Sequence, residues 1–280
     1  MPSPSIGVVG SCNVDLVVRC ADLPRRGETV LGEDVVRLPG GKGGNQAAAA
    51  ARLGARVSLM ASVGTDEAGD WLLSLLRELG VDVTSVHRTA RATGTAFIAV
   101  DHAGENQIVV APGANAELDL ANIGLDRFDV VLAQMEVSQA VIDAAALRSR
   151  SFILNAAPAV PVDPETLARC AVVIANEVEA ESFDSSKLEH CVLTLGARGA
   201  VHLQRGREVD RVTAPTLEPV DTVGAGDVFC AAYALQYALR VPAYQALRFA
   251  VAAGSLATLA LGAQGAMPTR TEVEQWLARA

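Results

Sequence analysis

The sequence has 280 residues, half of them hydrophobic, and a net charge of −9, with a mean hydropathy of +0.28 and a pI near 5.0. That length suits one large α/β domain with an appendage better than two full cores, and an acidic balance without a basic patch excludes a nucleic-acid backbone as partner. Five cysteines (Cys12, Cys20, Cys170, Cys191, Cys230) show no metal-ligand spacing and the four histidines are scattered, which disfavours a disulfide scaffold, a zinc site and a histidine triad and points to a reducing compartment.

The opening residues Met1 to Ser5 lack the layout of a signal peptide. The uncharged stretch Phe249 to Thr269 is long enough to span a bilayer. Its apolar residues are mainly alanine, however, and Gly254, Gly262, Gly265 and Pro268 interrupt it. A buried helix followed by a glycine-rich turn is expected there, in a soluble cytoplasmic protein.

In chain order, Ser5 to Gly10 reads as a buried strand, short, apolar and β-branched. Asn13 and Asp15 follow at its carboxyl end, where open α/β sheets place ligands. An amide and a carboxylate two residues apart suit neighbouring hydroxyls, although turn residues after a strand look the same. Leu16 to Arg19 and Glu28 to Leu38 read as strands with no helix between them, a β excursion about 15–38 that predicts a lid or an interface. Pro39-Gly40-Gly41-Lys42-Gly43-Gly44-Asn45 then forms a glycine-rich loop opening a helix from Gln46 to Gly54. It is not a Walker loop, because a glycine follows Lys42 and Val36 stands at the first glycine position. Lys42 and Lys187 are the chain's two lysines, so a lysine in this loop is a pointed choice.

Val57 to Val63 reads as a strand, Asp66 to Leu79 as an amphipathic helix, and Val81 to Val86 as a strand. Gly94 to Val100 and Glu105 to Val110 alternate around Asp101-His102-Ala103-Gly104, a hairpin forming a second excursion about 93–111 that should pair with the first. From Asp129 the pattern reads as strictly strand–helix: Val130 to Glu136, Val137 to Leu147, Phe152 to Asn155, Pro164 to Cys170, Val172 to Ala175, and Val192 to Gly196. Alternation of this kind predicts a parallel sheet covered on both faces. The strand ends carry Asn13, Asp15, Glu136, Asn155, Asn176, Glu179, Thr194 and Gly196, one polar edge that marks an active site. Helices from Gly226 to Leu239, Ala243 to about Leu261, and Glu272 to Ala280 close the chain.

Before the first of these helices stands Asp221-Thr222-Val223-Gly224-Ala225-Gly226-Asp227. Glycines let the backbone approach a ligand, and the first amides of a helix lack intrahelical partners, so phosphate can sit there while Asp227 handles a proton. An ordinary loop-to-helix junction, with Asp227 favoured by the helix dipole, gives the same pattern. The dinucleotide fingerprint is excluded, since Phe229 occupies its last glycine position.

Together with Asn176-Glu177-Val178-Glu179, the two glycine motifs make the chain resemble the PfkB carbohydrate kinases, most closely their ribokinase branch. Gly27 to Val30, Asn155 to Pro158, Thr194 to Gly199 and Gly262 to Gln264 extend the match over nearly the whole chain. The resemblance implies a ribokinase-like three-layer α/β/α sandwich with a mainly parallel sheet, a β lid that often clasps a homodimer, and transfer of the ATP γ-phosphate to a primary sugar hydroxyl. D-ribose is the first acceptor it implies. Deoxyribose, a nucleoside, fructose or a keto-sugar acid are the alternatives, and a silent sugar-binding regulator is the reading from another class. A nucleoside would call for an aromatic or apolar wall, for which the lid offers Phe97, Ile98 and Val109.

By resemblance, Asp227 is the general base and the amides of Gly224, Ala225 and Gly226 hold the transferring group. Asn13, Val14, Asp15, Gly41, Lys42, Gly43, Gly44, Asn45 and Glu136 meet the sugar. Asn176, Thr194, Leu195, Gly196, Ala197, Arg198, Gly199 and Gly226 meet ATP. Glu179, with Asn176, organises Mg²⁺ through water, and Asp221, Val223, Ala257, Ala260 and Gly262 surround K⁺, with Ala266 where a serine is common. The chain departs from the pattern between Glu179 and Thr194, where Ser182 to Cys191 is short by about a helix. A thinner outer layer is expected there.

Overall fold

The computed structural model describes residues 3–260, 262–265 and 267–279. The chain opens with β1 (Ser5–Val9), β2 (Asn13–Arg19), β3 (Val36–Gly40) and α1 (Lys42–Arg52), followed by β4 (Arg56–Met60), β5 (Ser62–Gly64) and α2 (Glu67–Glu78). Next come β6 (Val81–Asp82), β7 (His87–Thr89), β8 (Gly94–Val100), β9 (Asn106–Ala111), β10 (Val130–Gln134), α3 (Gln139–Arg148), β11 (Phe152–Asn155) and α4 (Pro164–Arg169). The last third holds β12 (Val172–Asn176), β13 (Cys191–Thr194), β14 (Ala200–Gln204), β15 (Arg207–Val212), α5 (Ala225–Ala238), α6 (Ala243–Leu256) and α7 (Arg270–Leu277).

Nine strands form the main sheet in the order β15-β14-β13-β12-β11-β10-β1-β4-β6. From β6 to β13 every pairing is parallel, and the strands are the expected apolar runs, with Ile6, Val8, Leu132, Ile153 and Val173 inaccessible to solvent. One face of the sheet packs on α1, α2, α5, α6 and α7, the other on α3, α4 and short 3-10 turns. The result is the three-layer α/β/α sandwich expected from the sequence. Alanines 47–50 of α1 are all buried, because small side chains let this helix fit between the sheet and α5.

Four local expectations change. The chain is not strictly strand–helix after Asp129, because β14 and β15 form an antiparallel hairpin on the sheet edge. Its turn, Arg205-Gly206, has φ of 49° and 74°, the mirror-image turn that matches strand twist. The loop Lys42–Asn45 is already helix, since α1 begins at Lys42. The expected strand from Glu28 shrinks to Val36–Gly40, with one bridge from Cys20 to Gly32 before it. Helix α6 stops at Leu256, followed by a 3-10 turn over Ala257–Leu259. Ala266, and the expected helix limits Leu261 and Ala280, lie outside the described residues.

The segment between β12 and β13 holds only 3-10 turns, Glu179–Ser182 and Ser185–Lys187. Leu188 and the half-buried Phe183 cover Val173 and Cys191 there in place of a helix, so the outer layer is thin, as expected. The two β excursions pair into a separate sheet of order β3-β2-β8-β9, with β2 and β8 parallel. Among the described residues no helix is long and apolar enough to cross a membrane.

Candidate active site

The main sheet reverses its winding at β1: later strands add β4 and β6 on one side and β10 to β13 on the other. A crevice at the carboxyl ends of the strands beside such a switch point is where open α/β sheets bind ligands. Here it is a cleft of about 770 Å³, lined among others by Asn13, Asp15, Lys42, Glu136, Gly224 and Asp227. Its floor is the sheet edge and its roof is the inner face of the second sheet, to which Val17, Val36, Ile98 and Ile108 contribute.

Gly41 is the N-cap of α1 with φ 82°, a conformation that a side chain disfavours. A Cβ there would also meet Asn13 N at 2.7 Å. The close fit sets the start of α1 against the turn after β1. Glu136, at the end of β10, ties the same junction from the other side. One carboxylate oxygen accepts the Ser11 hydroxyl and the Lys42 amide, the latter at 3.0 Å. A carboxylate at a helix N-terminus is favoured by the helix dipole.

Asp227 sits in the first turn of α5, 7 % exposed. Asn45 Nδ2 donates to one of its oxygens at 3.0 Å and Gln46 Nε2 to the other at 3.0 Å. Burial pushes the Asp227 carboxyl upward, opposed by Lys42 and by these two amide donors. Asp15 is raised to about 7, first by burial, then by Glu136 and Asp227, with Lys42 opposing. Burial pulls the Lys42 ammonium down, but Asp227, Glu136 and Glu179 outweigh it and the net direction is up. The cleft floor therefore gathers three carboxylates around one cation.

Gly224, with φ 80°, caps α5, and a Cβ there would meet Ala263 Cα at 2.6 Å. The Ala225 amide donates to Thr222 O at 3.3 Å, so it is not free as the sequence implied. Among the described residues, the Gly226 and Asp227 amides have no backbone hydrogen-bond partner. A Cβ on Gly226 would meet nothing within 4 Å, and its φ is ordinary. Neither packing nor conformation demands glycine at 226, which leaves room for a ligand group against the helix start.

Three of the residues matched to the sugar point elsewhere. Val14 is 3 % exposed and packs into the core, on the face of β2 opposite Asn13 and Asp15. A Cβ on Gly43 would meet Gly10 C at 2.6 Å, and the Gly44 amide donates to Ser11 O at 2.9 Å. These two glycines serve the contact between α1 and the β1–β2 turn. Phe97 and Val109 lie on the outer face of the second sheet, 53 % and 68 % exposed, so of the three wall candidates only Ile98 lines the cleft.

Asn176 and Thr194 are register partners at the ends of β12 and β13. Leu195, Gly196, Ala197, Arg198 and Gly199 form the tight turn that follows, beside the cleft rather than within its lining. Gly199 is explained locally, since a Cβ would overlap Val212 O, and Arg198 pairs with Glu177 at 2.5 Å. Asn176 and Glu179 cap each other, each side chain accepting the other's amide at 2.8 Å.

Asp221 joins two loops. Its oxygens accept the amides of Val223 and Gly262 at 2.9 Å each, and Thr258 O accepts the amides of Val220 and Asp221. Ala257 and Ala260 flank Thr258 in the second loop. Among the described residues no group of three or more His, Cys, Asp or Glu side chains could hold a metal ion.

Sequence reasoning placed Asn155 on the polar edge and matched Gln264, but it missed the other members of a second layer of amides, Asn115, Gln46 and Gln134. Asn115 donates to Asn13 Oδ1 at 2.7 Å and accepts the Cys12 amide at 2.9 Å. Asn13 is thereby turned to offer its Nδ2 donor. Gln264 Nε2 holds Asn45 Oδ1 at 3.1 Å. Gln46, Gln134 and Asn155 are likewise buried and interconnected. The available signal was a lone polar residue in an apolar element, such as Gln134 ending Val130-Val131-Leu132-Ala133.

A family model described as pfkB family carbohydrate kinase matches residues 3–270. A ribokinase of Bacillus subtilis (strain 168) is 39 % identical, over 98 % of this chain and 99 % of its own. The crystal structure of a ribokinase from Thermotoga maritima superposes with a TM-score of 0.90 at 30 % identity, covering 98 % of this chain and 99 % of its own. The structure of an Arabidopsis thaliana ribokinase complexed with ribose and ATP also gives 0.90, at 27 % identity, covering 99 % of each chain.

Proposed function

The chain belongs to the pfkB family of carbohydrate kinases, and from that membership we propose that it transfers the γ-phosphoryl group of ATP to the 5-hydroxyl of D-ribose. The observation that carries the reading is the buried Asp227 carboxylate, held by two amide donors in the cleft beside the unpartnered amides that open α5. The choice of ribose and ATP is supported by the Arabidopsis protein, which holds both.

In this mechanism the sugar O5 proton passes to Asp227 while O5 bonds to the γ-phosphorus. The bond from that phosphorus to the bridging oxygen breaks, and ADP leaves with the electron pair. The Gly226 and Asp227 amides hold the non-bridging oxygens, and Lys42 supplies positive charge beside them. Phosphoryl transfer asks a protein mainly for positioning and electrostatics. Asn13 offers a donor, and Asp15 and Glu136 offer acceptors, to the sugar hydroxyls. Three carboxylates against one lysine favour a neutral sugar over a keto-sugar acid.

The polar edge from Asn176 to Gly199 would hold the nucleotide, leaving the thinly covered side of the sheet beside it. Asn176 and Glu179 would hold Mg²⁺ through water, where the ion would neutralise phosphate charge. Asp221 and the carbonyls of Val223, Ala257, Ala260 and Gly262 would hold K⁺ next to the anion site. The second sheet would act as the lid. The exposed Phe97 and Val109 on its outer face would pair two copies, which sedimentation reads as twice the 29.1 kDa chain mass or not.

A coupled ADP-release assay tests the reading across ribose, deoxyribose, fructose, a nucleoside and a keto-sugar acid, in sodium-only and potassium buffers. Turnover should be highest with ribose and should rise with potassium. Background rates with ribose beside turnover of another acceptor would reject the ribose assignment, and equal rates in both buffers would reject the cation site.

A further inference from the structure

The kinase reading accounts for Asp227 but not for the buried amides behind it. Gln46 is inaccessible to solvent, and its Nε2 donates both to Asp227 Oδ1 at 3.0 Å and to Asn155 Oδ1 at 3.1 Å. Its Oε1 accepts Gln134 Nε2 at 2.6 Å. An ionised carboxylate only accepts hydrogen bonds, so Asp227 requires Gln46 to face it with nitrogen. The Gln46 oxygen then points at β10, and Gln134 must answer with nitrogen in turn. Asn155 is fixed the same way, its Nδ2 donating to Ile174 O at 3.3 Å. The polarity of the whole chain of amides is dictated by the charge on Asp227.

Gln134 is an expensive way to fill its position. Its Oε1 is buried without a partner among the described residues, a defect that costs ~1–3 kcal/mol. A Cβ at residue 10 would overlap that same oxygen, so Gly10 accommodates it. An apolar side chain would avoid the unpartnered oxygen but would offer Gln46 no donor. The glutamine is explained by what it does to Gln46.

We propose that Gln46, oriented by Gln134 and Asn155, is a positioning residue that keeps the Asp227 carboxylate ionised and aimed at the acceptor hydroxyl. The charged and titratable groups facing Asp227 are Lys42 of α1, Asp15 of β2, Glu136 after β10 and Cys230 of α5. Lys42 is the only cation among them. Burial and the nearby Glu136 push the base toward its neutral form, and the Gln46 donor opposes them together with Lys42 and the Asn45 donor.

The inference rests on the proposed kinase activity, so its test separates the two. The pH profile of kcat with ribose is measured for the wild type, Asp227→Asn, Gln46→Met and Gln134→Met, with circular dichroism and thermal melts confirming folding. Removing the Gln46 donor should move the acidic limb upward by about one to two pH units, leaving the sugar KM unchanged, since a charge-assisted hydrogen bond has about that strength. Gln134→Met should move the limb the same way by less. A merely structural role would lower kcat equally at every pH, and an unmoved limb in folded Gln134→Met or Gln46→Met overturns the proposal. If Gln46→Met does not fold, Gln134→Met decides alone. A wild type with no sugar kinase activity would instead overturn the function, and the Asp227→Asn control distinguishes that failure.

Discussion

Asp15 shows how one side chain serves binding at the expense of the fold. Burial and two neighbouring carboxylates raise it to about 7, above the ordinary carboxylate value near 4. The folded state therefore holds this proton more tightly than the unfolded chain does. By linkage its contribution to stability is full below pH 4 and is lost as pH rises toward 7. Asp15→Asn removes that slope, so the variant's melting temperature should gain on the wild type's between pH 4 and 7 and run parallel above. Asp227 is shifted in the same direction and remains, so the variant keeps part of the dependence. The same substitution should lower kcat/KM for ribose by about 10- to 150-fold, because a hydrogen bond to a charged group is worth ~1.5–3 kcal/mol. Parallel melting curves from pH 4 upward would remove Asp15 as the source of the slope.

At the scale of elements, the two glycines that open α5 have different reasons to be glycine. Gly224 is demanded by φ 80° and by Ala263 against it. Gly226 has an ordinary φ and open space around its Cβ direction. Gly224→Ala should therefore destabilise the protein by about 1–3 kcal/mol in chemical denaturation. Gly226→Ala should fold like the wild type and lose about 10²-fold in kcat, the scale of an impaired anion-stabilising site. Full activity in Gly226→Ala would empty the site of the phosphoryl group assigned to it. Both glycines are visible in the sequence, yet only the folded structure separates their roles, because the distinction depends on Ala263, 39 residues away along the chain. The β14–β15 hairpin was legible only in part: Val201-His202-Leu203-Gln204 alternates before Arg205-Gly206, but Arg207 to Val212 does not, with Val209 and Val212 three residues apart. An expectation of continued strand–helix alternation obscured it.

For the molecule as a whole, the sequence carries the layers, the parallel sheet and the pairing of the two excursions, because strand hydrophobicity and loop glycines are local signals. The candidate site was legible where residues cluster along the chain, as at Gly40–Asn45 and Asp221–Asp227. Asn155 was legible as a polar strand end, but its link to Gln46 and Gln134 was not, because the three lie in separate elements and meet only when β10, β11 and α1 converge. Around that convergence the fold brings together a sheet edge, a helix start and the roof of the second sheet. The claim that this cleft is a sugar kinase site built on Asp227 is tested most directly by single-turnover phosphorylation of ribose by the wild type and by Asp227→Asn, with ATP binding measured in parallel. The account predicts that the variant binds ATP as the wild type does and loses about 10²–10⁴-fold in the rate of ribose phosphate formation. Phosphorylation by Asp227→Asn at the wild-type rate would contradict it.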